Sequence, residues 1–140
     1  MSNLVVMLID DAYLDLYINT RIIKKCDPSV EVKSFDAAKS ALEDLRSNKS
    51  SAEPVPDVIF LDLNMPIMNG FQFLEEFKTL PPEVQSGTNI YVLSSSFDPA
   101  DINRSKESEF VIDFIEKPLT ENRYLQIADE LMKTKNAANI

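Results

Sequence analysis

The chain contains no histidine, and that single absence removes several kinds of chemistry. Neither a Ser-His-Asp nor a Cys-His catalytic set can be assembled, zinc cannot be held through imidazole, and no phosphohistidine can form on the chain itself. One cysteine, Cys26, rules out an internal disulfide and fits a reducing cytoplasm. Only two glycines occur, Gly70 and Gly87, too few for a Walker loop or a Rossmann fingerprint. No apolar run is long enough to span a membrane, and the start carries no signal-peptide pattern. Basic residues are the scarcer charge: 14 Lys and Arg stand against 23 Asp and Glu, for a net charge of −9. So acidic a surface disfavours nucleic-acid binding, because phosphate contacts need Lys and Arg. With soft ligands scarce, a bound metal would be a hard cation held by oxygens.

What is present reads as one domain over residues 1–140, with 44% apolar and 26% charged residues. Leu4 to Ile9 is a continuous apolar run ending in Asp10-Asp11, the pattern of a strand buried on both faces. Leu14, Ile18, Ile22 and Cys26 recur every fourth residue and predict the buried face of a first helix, stopped by Pro28. Val30 to Phe35 alternates, as an edge strand does. Asp36 is the expected cap of a second helix with the stripe Ala38, Ala41, Leu42 and Leu45. Residues 47–56 read as a polar, mobile loop.

A third strand, Val58 to Leu61, ends in Asp62 and is followed by the breakers Pro66 and Asn69-Gly70. Phe71, Leu74 and Phe77, with Phe73 beside them, mark a third helix that Pro81-Pro82 ends. Asn89 to Leu93 is a fourth strand running into Ser94-Ser95-Ser96. Asp98 opens a polar fourth helix whose chief apolar anchor is Ile102. Val111 to Ile115 is a fifth strand leading to Lys117-Pro118. Thr120 caps the last helix, with the stripe Tyr124, Ile127, Ala128 and Leu131 and a tail that frays from about Thr134. Strands and helices alternating five times predict an α/β fold, a doubly wound five-stranded parallel sheet.

In such a sheet the carboxyl ends of all strands face one rim, where ligands bind. Four strand ends here carry Asp10-Asp11, Asp62, Ser94-Ser95 and Lys117. Taken singly each has a bland reading, as a helix cap, a loop or a solvated lysine. Together they suggest phosphoryl transfer. Clustered carboxylates repel unless a cation sits among them, and Mg²⁺ (or Mn²⁺) suits a few carboxylates plus waters. An Asp is a known nucleophile that forms an acyl phosphate. An ammonium and hydroxyls stabilise the charge spread over the transferred oxygens.

These residues resemble a known family, the receiver domain of two-component response regulators, and among them the single-domain, chemotaxis-regulator-like members. Ile9-Asp10-Asp11, the segment Asp62-Leu63-Asn64-Met65-Pro66-Ile67-Met68-Asn69-Gly70, Ser94-Ser95 and Lys117-Pro118 match in order and spacing across nearly the whole chain. The resemblance implies a flavodoxin-like (βα)5 fold with strand order 2-1-3-4-5. It implies Asp62 as phosphoacceptor, Asp11 as direct Mg²⁺ ligand, the Asn64 carbonyl as another, and Asp10 as an indirect one. It implies Ser94 as the hydroxyl on the phosphoryl group, Ser95 as the small residue giving access, and Lys117 as the pairing ammonium, with a cis peptide before Pro118. Phe114 fits the family's aromatic switch, coupled to Ser94. The donor is a phosphohistidine on a histidine kinase or histidine phosphotransfer protein.

The chain departs from the family at Ser108-Glu109-Phe110, where a small Gly-Ala pair is common, and at Ser50 to Pro56, a modest loop extension. No DNA-binding or enzyme domain is expected after the last helix. The chain is therefore expected to be no enzyme beyond its own phosphorylation and dephosphorylation. Output is expected through a protein target on the face of the fourth helix, fifth strand and last helix. That region carries Glu107, Glu109, Asp113 and Glu116, which suit a basic partner or form a solvated acidic face. Two alternatives stay open. One is a degenerate receiver acting as a phosphorylation-independent interaction module. The other is a haloacid-dehalogenase-like phosphatase, which calls for a second Asp where Asn64 stands.

Overall fold

A computed structural model of the chain describes residues 4–47, 55–95 and 98–138. The strands are β1 (Val5–Ile9), β2 (Glu31–Phe35), β3 (Val58–Leu61), β4 (Asn89–Ser94) and β5 (Val111–Glu116). They form one parallel sheet in the order β2-β1-β3-β4-β5, the flavodoxin-like order. The central strands β1 and β3 are buried along their whole length, which is why they read as unbroken apolar runs. The edge strand β2 has no fully buried residue: Glu31 and Ser34 are exposed, and Val32, Lys33 and Phe35 are half-buried.

The helices are α1 (Tyr13–Cys26), α2 (Ala38–Ser47), α3 (Gly70–Phe77), α4 (Pro82–Gly87), α5 (Pro99–Lys106) and α6 (Glu121–Ala138). Two cores result, one on each side of the sheet. Leu16 and Ile23 of α1 pack with Tyr124, Ile127 and Leu131 of α6 against Leu4, Val6, Leu8, Phe60 and Leu93. On the other side Ala41, Leu42 and Leu45 of α2 join Phe73, Leu74 and Phe77 of α3 and Val84 of α4.

Several details differ from the sequence-based expectation. In α1 the buried positions are Leu16, Asn19 and Ile23, while Leu14 and Ile18 face outward and Ile22 and Cys26 are only half-buried. The apolar residues of α1 cover more than one face, and the helix is docked by the stripe offset from the predicted one. Phe73 rather than Phe71 joins the core from α3. Residues 82–87, between the expected third helix and the fourth strand, form the extra helix α4. Pro82 sits at its first position, where a missing N–H costs nothing. Helix α2 opens at Ala38, two residues beyond Asp36. Helix α5 buries Ser105 and leaves Ile102 half-exposed. Helix α6 continues to Ala138, and Lys135 reaches back to Asp57 (3.3 Å), which also accepts the Val5 N–H (2.8 Å). Of the loop expected over 47–56, residues 48–54 lie outside the described residues, as does Ser96. Among the described residues no helix is long and apolar enough to cross a membrane.

Candidate functional site

The carboxyl ends of β1, β3, β4 and β5 converge on one rim. Asp10 follows β1 and is buried; its N–H donates to Phe35 O (3.1 Å) and its Oδ1 accepts the Ala12 N–H (2.9 Å). Asp11 is exposed beside it. Asp62 follows β3, is also buried, and donates its N–H to Ile9 O (2.9 Å), which ties it to the end of β1. Asp10, Asp11 and Asp62 each offer a carboxylate oxygen, all within 4.8 Å of one another.

Local sequence explains how Asp62 is held. Leu63 and Met65 are buried and Asn64 between them is exposed, so the segment is pinned inward on both sides of Asn64. The Asn64 N–H favours the charged form of the Asp62 carboxylate. Gly70 N–H donates to Leu63 O (2.9 Å), closing the loop onto β3. Asn69 then starts α3 with a reciprocal capping box: its side chain takes the Gln72 N–H, and the Gln72 side chain takes the Asn69 N–H, each at 2.9 Å. Within this loop Ile67 adopts a φ of 69°, a conformation that costs a β-branched residue energy, and its side chain is 98% exposed.

Ser94 closes β4 and is fully buried; its carbonyl accepts the Lys117 N–H (2.9 Å), joining the ends of β4 and β5. Ser95 follows and is exposed. The Lys117–Pro118 bond is cis. Lys117 extends its ammonium across the rim: Nζ lies 2.6 Å from Asp10 Oδ2, 2.9 Å from Asp15 Oδ2 and 3.6 Å from Asp62 Oδ1.

Charge governs the site. Burial raises the Asp62 pKa to about 6, and repulsion from Asp10 and Asp11 adds to the rise. Lys117 and the Asn64 N–H pull the other way without restoring the ordinary value. Burial opposes the charge on Lys117, but hydrogen bonds to Asp10 and Asp15 and the attraction of Asp62 outweigh it, so its pKa lies above the usual lysine value. A single ammonium among these acids leaves negative charge in excess. Three hard oxygens this close suit a small divalent cation such as Mg²⁺ or Mn²⁺.

Phe114 lies half-buried on β5. A bulge between Ile90 and Tyr91 of β4 and Val111 and Asp113 of β5 leaves Ile112 without a direct partner. Beyond it Phe114 pairs with Val92 and Glu116 with Ser94, so Phe114 and Ser94 lie on the same side of the sheet. An unbulged register would place Phe114 on the opposite side.

The structure thus brings together Asp10, Asp11, Asp62 and Lys117, with Ser94 and Ser95 on the adjoining strand end. The sequence reading overlooked Asp15. Its spacing, four residues beyond Asp11 at the start of an amphipathic helix, was the available signal. It also overlooked the close approach at Gly70.

The family profile described as response regulator receiver domain matches residues 6–129. A two-component response regulator of Oryza sativa subsp. japonica is 32% identical over 116 residues, covering 81% of this chain and 49% of that protein. A protein-glutamate methylesterase/protein-glutamine glutaminase of Xanthomonas campestris pv. campestris is 33% identical over 114 residues, 81% of this chain and 29% of that one. The chain therefore spans about half, or less, of the length of these relatives. A crystal structure of a two-component response regulator from Cytophaga hutchinsonii superposes with a TM-score of 0.84 at 28% identity, covering 95% of this chain and 99% of that one. A response regulator receiver protein from Dyadobacter fermentans gives 0.81 at 27% identity, covering 92% and 98%.

Proposed function

The chain belongs to the response regulator receiver domain family, and on that premise we propose that it accepts a phosphoryl group from a phosphohistidine onto Asp62. The observation that carries the reading is the juxtaposition of three carboxylates within 4.8 Å with the Lys117 ammonium, 3.6 Å from Asp62. An Asp62 oxygen attacks phosphorus as the bond from phosphorus to the imidazole nitrogen breaks. The electron pair of that bond stays with the imidazole, and the product is an acyl phosphate. The Asn64 N–H orients the carboxylate. The Ser94 hydroxyl and Lys117 serve as donors to the phosphoryl oxygens, and the small Ser95 leaves room beside them. Asp11, Asp62 and the Asn64 carbonyl would hold Mg²⁺ or Mn²⁺, with Asp10 assisting indirectly, and the cation would neutralise charge on the phosphoryl oxygens.

The surroundings favour a protein donor. Tyr13, Leu14, Tyr17 and Ile18 of α1 and Ile67 of the loop after Asp62 are large apolar side chains left exposed. The four on α1 recur at helical spacing, and Ile18 borders the same cavity as Lys117, an arrangement that suits a helical partner. Output would leave by a protein target on the α5–β5–α6 face, where Ile112 and Leu125 are exposed and Phe114 relays the state of Ser94. A phosphorelay shuttle and an effector both fit, in a cytoplasmic setting.

Incubation with Mg²⁺ and acetyl phosphate is expected to add the mass of one phosphoryl group, and Asp62→Asn to abolish the addition. A wild-type chain that gains nothing under conditions that label other receivers would sink the proposal. Partner binding indifferent to Asp62→Asn and to chelation would instead favour a constitutive interaction module.

A further inference from the structure

Lys117 stands closer to Asp15 than to Asp62: 2.9 Å against 3.6 Å. Asp15 belongs to the first turn of α1, where an acid steadies the helix by facing its N-terminal N–H groups. That role would be served by any outward rotamer. Instead Oδ2 reaches a lysine 102 residues away in sequence. One turn further along α1, Asn19 is 4% exposed, and its amide makes no hydrogen bond with another described residue. Asp15 and Asn19 line one cavity of about 220 Å³ together with Ser95 and Lys117. Among the described residues no buried side-chain polar atom lacks a partner, so the Asn19 amide meets solvent in this cavity, one turn from the Asp15 carboxylate.

We infer that Asp15 is a positioning residue that holds Lys117 back from Asp62, releases it when Asp62 carries a phosphoryl group, and then passes its own carboxylate to the Asn19 amide. In the resting protein Asp10 and Asp15 share the ammonium. A phosphoryl group on Asp62 adds negative charge, and Lys117 moves toward it. The cavity gives Asp15 and Asn19 room to meet. The exchange leaves neither the carboxylate nor the amide unpaired, which makes the handover reversible at small cost.

The inference rests on the phosphoacceptor reading, and beryllofluoride with Mg²⁺, a mimic of the phosphoryl group, separates the two. If the wild-type chain binds no beryllofluoride by calorimetry, the phosphoacceptor reading fails, and the inference with it. If it binds, Asp15→Asn is expected to tighten binding about threefold to tenfold, because Lys117 loses its competing partner. Asp15→Glu should restore near-wild-type affinity. Asn19→Leu, which leaves the charge unchanged, is expected to weaken binding by a similar factor, because Asp15 then has no alternative donor. Unchanged or weaker binding in Asp15→Asn overturns the inference. So does a folded Asn19→Leu protein that binds as the wild type does. Should Asn19→Leu fail to fold, Asn19→Ala serves in its place.

Discussion

A Cβ on Gly70 would stand 2.7 Å from the carbonyl oxygen of Asp62. It would also lie 2.8 Å from the Cα of Leu63, so the obstacle is backbone and cannot swing aside. Gly70→Ala must therefore push the Asp62–Leu63 backbone off β3 or pull α3 away from it. Overpacking of this kind costs about 1–3 kcal/mol, and here the displaced backbone carries Asp62, the proposed nucleophile. The expected outcome is a lower denaturant midpoint together with slower phosphorylation from acetyl phosphate. Wild-type values for both would show that the loop yields freely.

Lys117 is the cation shared by two buried carboxylates, Asp10 and Asp62. Lys117→Met keeps the length and removes the charge. Leaving a buried charge without its partner costs about 3–5 kcal/mol, less whatever is recovered when a carboxylate takes up a proton. Urea unfolding at neutral pH in chelator should show a loss of about 3 kcal/mol. Added Mg²⁺ should recover part of it and bind more tightly than to the wild type, because no ammonium competes for the acids. A variant as stable as wild type in chelator would contradict this account of the site's electrostatics.

Much of this arrangement was legible in the sequence, and the reasons differ by element. The strands β1 and β3 are buried on both faces, so their apolar runs could be read directly and their ends placed Asp10, Asp11 and Asp62 on one rim. Thr120 was legible as a cap because its hydroxyl takes the Arg123 N–H (3.1 Å), a local pattern. The face of α1 was not legible. Leu14 and Ile18 compete with Leu16 and Ile23 at helical spacing, and only docking against α6 and the sheet decides between them. Asp15 escaped notice for the same reason, since its contact with Lys117 depends on that rotation of α1. The bulge at Ile112 has no local signature either; it follows from how β5 registers on β4.

The raised pKa of Asp62, about 6 against an ordinary 3.8, carries a pH dependence of definite sign. A group whose folded pKa is raised contributes stability below its unfolded value and loses it as pH rises through the folded one. In metal-free protein the Asp62 contribution is therefore present near pH 3.8 and lost as pH climbs through about 6. Its size is at most about 3 kcal/mol. Asp62→Asn cannot ionise there, so it should be more stable than wild type at neutral pH in chelator, with the gap closing toward pH 4. Saturating Mg²⁺ should abolish the gap by favouring the carboxylate. In limiting Mg²⁺, phosphorylation should fall as pH drops through about 6, because Asp62, as the proposed nucleophile, becomes protonated. A stability gap independent of pH would refute the assignment.

Ile67 combines a left-handed backbone with a side chain 98% exposed, so it adds strain and buries almost nothing. An L-residue in that conformation costs roughly 1–2 kcal/mol, a penalty glycine escapes. Ile67→Gly relieves it, offset in part by the greater freedom of glycine in the unfolded chain. The net expectation is a gain of up to about 1 kcal/mol in denaturant titration. Strain kept at such a place points to a use for the side chain. Together with Tyr13, Leu14, Tyr17 and Ile18, Ile67 would meet the phosphohistidine donor. Transfer from a cognate phosphotransfer protein should then slow severalfold in Ile67→Gly, while labelling by acetyl phosphate, which needs no docking surface, stays at the wild-type rate. Equal slowing with both donors would place the effect at Asp62 rather than at the surface. Unchanged rates with both would leave Ile67 as strain without a docking role.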